Sequence, residues 1–183
     1  MRGMFSGAEH FNQPLGPWKV GAVRDMSFMF SGASAFNQAL NEWDVSNVLT
    51  MESMFGKASA FNQEVSKWNV VRVRTMAGMF READAFNQSL AEWGEKIGLV
   101  DPGPQYAHRW DVRATGMFFD ARSFSQSLVA WDAWMLKQHR RNPNVFFGML
   151  QGAVSFVPAE QLTENQRNIM HKSYGYGYGI NQA

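Results

Sequence analysis

Large apolar residues return in this chain every 25 positions. Met-Phe pairs stand at Met4-Phe5, Met29-Phe30, Met54-Phe55 and Met79-Phe80. Each pair is followed by an alanine (Ala8, Ala33, Ala58, Ala83), an F-N-Q triplet (Asn12, Asn37, Asn62 and Asn87 at its centre) and a tryptophan (Trp18, Trp43, Trp68, Trp93). A period this regular predicts a stack of near-identical coils, because one 25-residue unit cannot bury its own apolar faces and needs a neighbour above and below.

Two spacings lie within each copy. In the third, Val48, Met51, Met54, Phe55 and Ala58 form a one-face helical stripe. The segment Val65-x-x-Trp68-x-Val70-x-x-Val73 then has the spacing of a leucine-rich-repeat strand. Strand alternation points Trp68 and Val70 inward, Lys67 and Asn69 outward. The expected fold is therefore an α/β repeat: a leucine-rich-repeat-like solenoid of about six coils, one short strand and one short helix per coil. Strands stack about 4.8 Å apart and helices about 8–10 Å apart, which predicts a curved stack with the strands concave.

The register fails in two places. The fifth copy, Met117-Phe118, Ala121, Phe124-Ser125-Gln126 and Trp131, begins 38 residues after Met79, so an insertion falls near 94–108. The sixth, Met149-Leu150, Ala153 and Phe156, implies a second near 134–144. The repeats thus span 1–157. Residues 158–172 read as a C-terminal capping helix, with Pro158 at its start, and 173–183 as a Tyr-Gly tail of low complexity. Met1 occupies the slot of Met26, in mid-coil and with no cap before it, so a fragment of a longer protein is expected.

Composition narrows the classes of function. The net charge of +1 argues against general attraction to nucleic acid. Without cysteine there is no disulfide and no thiolate metal site. No apolar run reaches the length of a membrane span, and the first residues, already in the repeat, are not a signal peptide. His10, His108, His139 and His171 occupy unrelated repeat positions, and no P-loop, G-x-S-x-G or H-E-x-x-H motif occurs. No catalytic residue, metal or cofactor is expected; His108 with Asp101 or Asp111 is the one pair that suggests a base and its orienter.

Columns of repeated residues are expected to serve the fold. Each Asn amide should satisfy a turn or its neighbour's amide, the glutamines likewise, and the tryptophans should be core. A carbohydrate-stacking platform along the tryptophans is the competing reading, and it needs exposed rings. Candidate binding residues are the outward positions that change between coils: Glu42, Asp44, Ser46, Lys67, Asn69, Val71, Glu92, Arg109, Asp111 and Arg113. In the second insertion, Trp134 is a candidate exposed anchor, and Lys137, Arg140 and Arg141 a basic cluster for an acidic partner.

The elements Met54-Phe55, Phe61-Asn62-Gln63 and Trp43-Asp44-Val45-Ser46-Asn47-Val48 resemble the 25-residue repeat of BspA-like surface proteins of mycoplasmas and lactobacilli, also abundant in marine protists. The resemblance covers most of the chain. It implies a leucine-rich-repeat-like solenoid at a cell surface or in the extracellular space, in places linked to adhesion to host proteins. The function expected is non-catalytic protein–protein interaction; the alternative is a structural subunit of a larger protein assembly.

Overall fold

The computed structural model describes residues 1–97 and 113–173. Its repeats are built from turns, and the turns alternate where their N–H groups go. In the second coil Met29, Ser31 and Ala33 donate back three residues, to Met26, Phe28 and Phe30. The residues between them donate outward: Met26, Phe28, Phe30 and Gly32 bond the carbonyls of Thr50, Glu52, Met54 and Gly56 at 2.8–3.0 Å. The same four rungs join the third coil to the fourth and, across the first insertion, the fourth to the fifth.

This alternation overturns the expected helix and strand. A helix keeps its N–H groups within the segment, four residues back. Here Met51, Ser53, Phe55 and Lys57 send theirs to Thr75, Ala77, Met79 and Arg81 of the next coil. Two left-handed residues per coil also block helix propagation: Phe28 and Gly32 (φ +59° and +75°), then Ser53 and Lys57 (φ +49° and +60°). The 3, 3, 1, 3 spacing reports successive three-residue turns. The strand fails for a related reason. Trp68 donates to Val65 and Val73 to Val70, so the leucine-rich-repeat spacing marks two tight turns. Among the described residues only isolated parallel bridges occur, at Asp25–Thr50, Thr50–Thr75 and Thr75–Arg113. The α/β leucine-rich-repeat-like solenoid with a concave sheet is therefore incorrect, and the mismatch between strand and helix spacing that was to curve it is absent.

The interior is two columns of parallel rings. Within each coil the two phenylalanines stack, as at Phe55–Phe61 with centroids 3.9 Å apart. Between coils Phe30, Phe55 and Phe80 follow at 5.6 and 5.7 Å. Phe36, Phe61 and Phe86 follow at 6.0 and 6.1 Å. The methionines Met29, Met54, Met79 and Met117 are wholly buried beside them.

Helices appear where the register breaks. Helix α1, Ala91–Lys96, closes the fourth copy and contains its Trp93, with Lys96 bonded to Glu92 one turn earlier at 3.1 Å. Gly94 lets the 3-10 turn Val129–Trp131 approach: a Cβ there would meet the Ala130 carbonyl and lie 2.7 Å from Trp131 Cδ1. Helix α2, Asp132–Arg141, occupies the expected second insertion. Residues 158–172, read as one helix, form two, α3 (Pro158–Gln161) and α4 (Glu164–Ser173). The break is a capping box: Thr163 Oγ1 accepts from the Gln166 N–H at 3.1 Å, and Gln166 Oε1 accepts from the Thr163 N–H at 2.9 Å. The Tyr-Gly residues from 174 onward lie outside the described residues.

Candidate functional site

The repeated polar columns bind the coils together. Asn62 Oδ1 accepts both the Asn87 N–H and Gln88 Nε2 at 2.9 Å. Asn37 serves Asn62 and Gln63 in the same way, and Asn12 serves Asn37 and Gln38. Four indole N–H groups each cross one coil boundary: Trp43 to Leu15, Trp68 to Leu40, Trp93 to Val65 and Trp131 to Leu90, at 2.9–3.1 Å. Those four rings are buried, so they offer no face for a sugar to stack on. Trp18, with no coil before it in the structure, is 40% exposed.

Of the outward candidates, Glu42, Asp44, Lys67 and Asn69 are exposed and follow one another on neighbouring coils. Ser46 and Val71 are half-buried. Asp44 and Asn69 also shape the backbone: Asp44 Oδ1 accepts the Ser46 N–H at 3.0 Å, and Asn69 Oδ1 the Val71 N–H at 3.3 Å. The Ser46 side chain first, and its N–H second, hold the Asp44 carboxyl below the ordinary aspartate range. Beside them Arg72 Nη1 donates to Asn47 Oδ1 at 2.9 Å, and Asn47 Nδ2 to the Gly21 carbonyl at 2.8 Å. Glu92 is exposed on α1, and Arg113 is exposed and bridges to Thr75. Arg109 and Asp111 lie outside the described residues, as do Asp101, His108 and most of the first insertion.

The second insertion differs from expectation. Trp134 is not an exposed anchor. Its side chain is 4% exposed and meets Trp131 and Phe146 edge-on, with centroids 5.4 and 5.2 Å away. The reason is the α2 face, which buries Trp134, Met135 and Gln138 with helical spacing. Lys137, Arg140 and Arg141 are exposed on the opposite side, and the basic last turn suits the negative end of the helix dipole.

One feature escaped the sequence reading. Lys57, Glu82 and Asp120 fall at the repeat position held by Gly7, Gly32 and Gly152, and all six residues are left-handed. With Ser59, Asp84 and Arg122 they line an open polar groove of about 270 Å³. Lys57 lies 3.7 Å from Glu82 and Arg122 3.8 Å from Asp84. The available signal was the replacement of glycine by charged residues at one repeat position. Neither this groove nor any other set of described residues groups His, Asp and Glu as a metal site.

Buried columns, inter-coil polar ladders and an exposed side that changes from coil to coil define a stacked-repeat protein. The family model described as Mycoplasma protein of unknown function, DUF285, matches residues 1–97. That is just over half of the 183 residues, and the chain belongs to this family. No curated protein and no solved structure matches it. Among the described residues no helix is long and apolar enough to cross a membrane.

Proposed function

We propose that the chain is a non-catalytic protein-binding module of a BspA-like surface protein, acting in adhesion or recognition outside the cell. One observation carries this reading. Across neighbouring coils the buried positions repeat, as in Trp43 and Trp68 or Val45 and Val70. The exposed positions between them change: Glu42 becomes Lys67, Asp44 becomes Asn69 and Asn47 becomes Arg72. A stack whose interior is uniform and whose lateral side is individual suits recognition of one partner by charge and shape.

The test is the double variant Glu42→Lys, Lys67→Glu. Both residues are exposed, so thermal unfolding should match the wild type. Proteins retained from a host-cell surface extract by the wild type should be lost by the variant. Equal retention by both rejects the lateral side as the contact.

A further inference from the structure

The polar groove is built from two nearby positions of the repeat. Lys57, Glu82 and Asp120 form one row across the third, fourth and fifth coils, and Ser59, Asp84 and Arg122 form the other. In the first row the remaining coils place Gly7, Gly32 and Gly152, with φ of +72°, +75° and +76°. Glycine takes this left-handed backbone at no steric cost. Lys57, Glu82 and Asp120 hold the same conformation at +60°, +55° and +53°, against the clash of their own Cβ. The stack does not require them to. Gly7 and Gly32 donate their N–H to the next coil at 2.7 and 2.8 Å, just as Lys57, Glu82 and Asp120 do at 2.7–2.8 Å. Strain kept in three consecutive coils, where glycine would make the same rung, points to a use for the side chains themselves. The sixth coil accommodates them: a Cβ on Gly152 would run into the Asp120 carboxylate.

The charges of the groove are balanced and loosely paired. Lys57 Nζ lies 3.7 Å from Glu82 Oε2 and Arg122 Nε lies 3.8 Å from Asp84 Oδ1, both longer than the about 2.7–3.2 Å of a hydrogen bond. Asp120 has no ion-pair partner among the described residues. At the rim Arg81 bonds Glu82 at 2.9 Å and lies 4.5 Å over the Phe119 ring. Lys57, Arg81 and Arg122 thus offset Glu82, Asp84 and Asp120. A site without net charge exerts little pull on a simple ion of either sign, and its carboxylates do not group as a metal site. What the walls keep is unused donors on Lys57 and Arg122 beside unused lone pairs on Asp84 and Asp120. The space of about 270 Å³ is below the roughly 300–1,000 Å³ of pockets for drug-sized ligands, and no aromatic or aliphatic side chain lines it.

We propose that this groove binds one sugar residue of a glycan. A hydroxyl both donates and accepts, so adjacent hydroxyls on a sugar ring are satisfied by carboxylates and cationic N–H groups set side by side. Asp84 and Asp120, on neighbouring coils, accept hydroxyl protons. Lys57 and Arg122 donate to hydroxyl and ring oxygens. Each of these bonds is charge-assisted and therefore stronger than one between neutral groups. Because the groove is open, the rest of the glycan extends away from the bound residue. This recognition needs no exposed ring, unlike a tryptophan platform. It is also independent of the lateral side at Glu42 and Lys67, which occupies other positions of the repeat.

The probes are the methyl glycosides of glucose, galactose, mannose and N-acetylglucosamine, each titrated into the intact isotope-labelled protein and followed by amide shifts in NMR. At least one should shift the Lys57, Glu82, Asp120 and Arg122 amides saturably, with a Kd of about 1–10 mM, the range expected for a single ring held by polar contacts. The variant Lys57→Gly, Glu82→Gly, Asp120→Gly restores the glycine of the other coils. It should melt no lower than the wild type and bind at least about tenfold more weakly. The Glu42→Lys, Lys67→Glu protein should bind the glycoside as the wild type does, so failure of the lateral contact and failure of this site are read separately. Absence of saturable shifts from all four glycosides up to about 100 mM, or unchanged binding by the glycine variant, overturns the proposal. A melting temperature lowered by more than about 5 °C in that variant also overturns it, because the charged residues would then serve the fold. So does preferential binding of N-acetylarginine amide, the probe for a basic protein side chain in the same groove.

Discussion

Trp18 and Trp43 occupy the same position of consecutive copies, yet one is 40% exposed and the other 3%. Phe5 and Phe30 differ in the same sense. Each pair holds the same place in its copy, and in the structure Trp43 and Phe30 have a coil packed on their preceding side while Trp18 and Phe5 do not. Burial in this molecule is conferred by the neighbour, so the energetic unit is the boundary between coils. The far end makes the same point in reverse. There Gln161 and Gln166, in helices with no repeat pattern, supply the missing bonds at the last boundaries.

The largest test of this comparison is Phe55→Ala against Phe5→Ala. The interior substitution should cost about 3–5 kcal/mol in urea unfolding and the end substitution about 1–2 kcal/mol, since part of the Phe5 ring is already in water. Equal losses would break the argument. Next, Gly94→Ala should cost about 1–3 kcal/mol, because its Cβ runs into rigid backbone at Ala130. A neutral result would mean that the junction of α1 with the Val129–Trp131 turn shifts freely. Comparable in size is Gln166→Met, which removes the acceptor of the Thr163 N–H and one of the two donors to the Leu128 carbonyl, the Trp131 N–H remaining at 2.8 Å; it should lower stability by about 1–3 kcal/mol, whereas Gln13→Met should be neutral within about 0.5 kcal/mol. If both glutamines proved neutral, the helices would not be replacing the repeat's bonds.

The smallest effect is at Asp44, away from both ends. Its carboxyl titrates below the ordinary aspartate range in the folded chain, so its contribution is full above the unfolded value and lost as pH falls through the folded one. Wild type and Asp44→Asn should differ in stability at neutral pH and converge at acid pH. Asn69, at the matching position of the next coil, holds its turn without a titratable group. A pH-independent difference would mean that the charge of Asp44 is not what Ser46 stabilises.

Register and interior were legible from residue spacing, because each buried column repeats every 25 residues. Asparagine and tryptophan could be placed in structural roles for the same reason: a residue present in every copy serves every boundary. Secondary structure was not legible. A chain of three-residue turns puts apolar residues at nearly the spacing a helix does, and the positive φ of Phe28, Ser53 and Lys57 falls on residues that seldom take it. Trp134 reads as an exposed anchor only if its segment is a loop; the spacing of Trp134, Met135 and Gln138 instead marks one face of a helix. The polar groove was hidden because its lining residues are distant in sequence and meet only when coils stack.

The four-rung boundary has a mechanical consequence. Rungs between uninterrupted coils join a residue to one about a full coil later, those across the first insertion join residues 37 apart, as Met76 to Arg113, and the side-chain ladders follow the same boundaries. A chain pulled by its ends can therefore open a single boundary while the rest stay closed. Each opening would release roughly 80–90 Å of extended chain for a 25-residue coil. The repeat length sets the size of that step, and the polar ladders set the force at which it occurs.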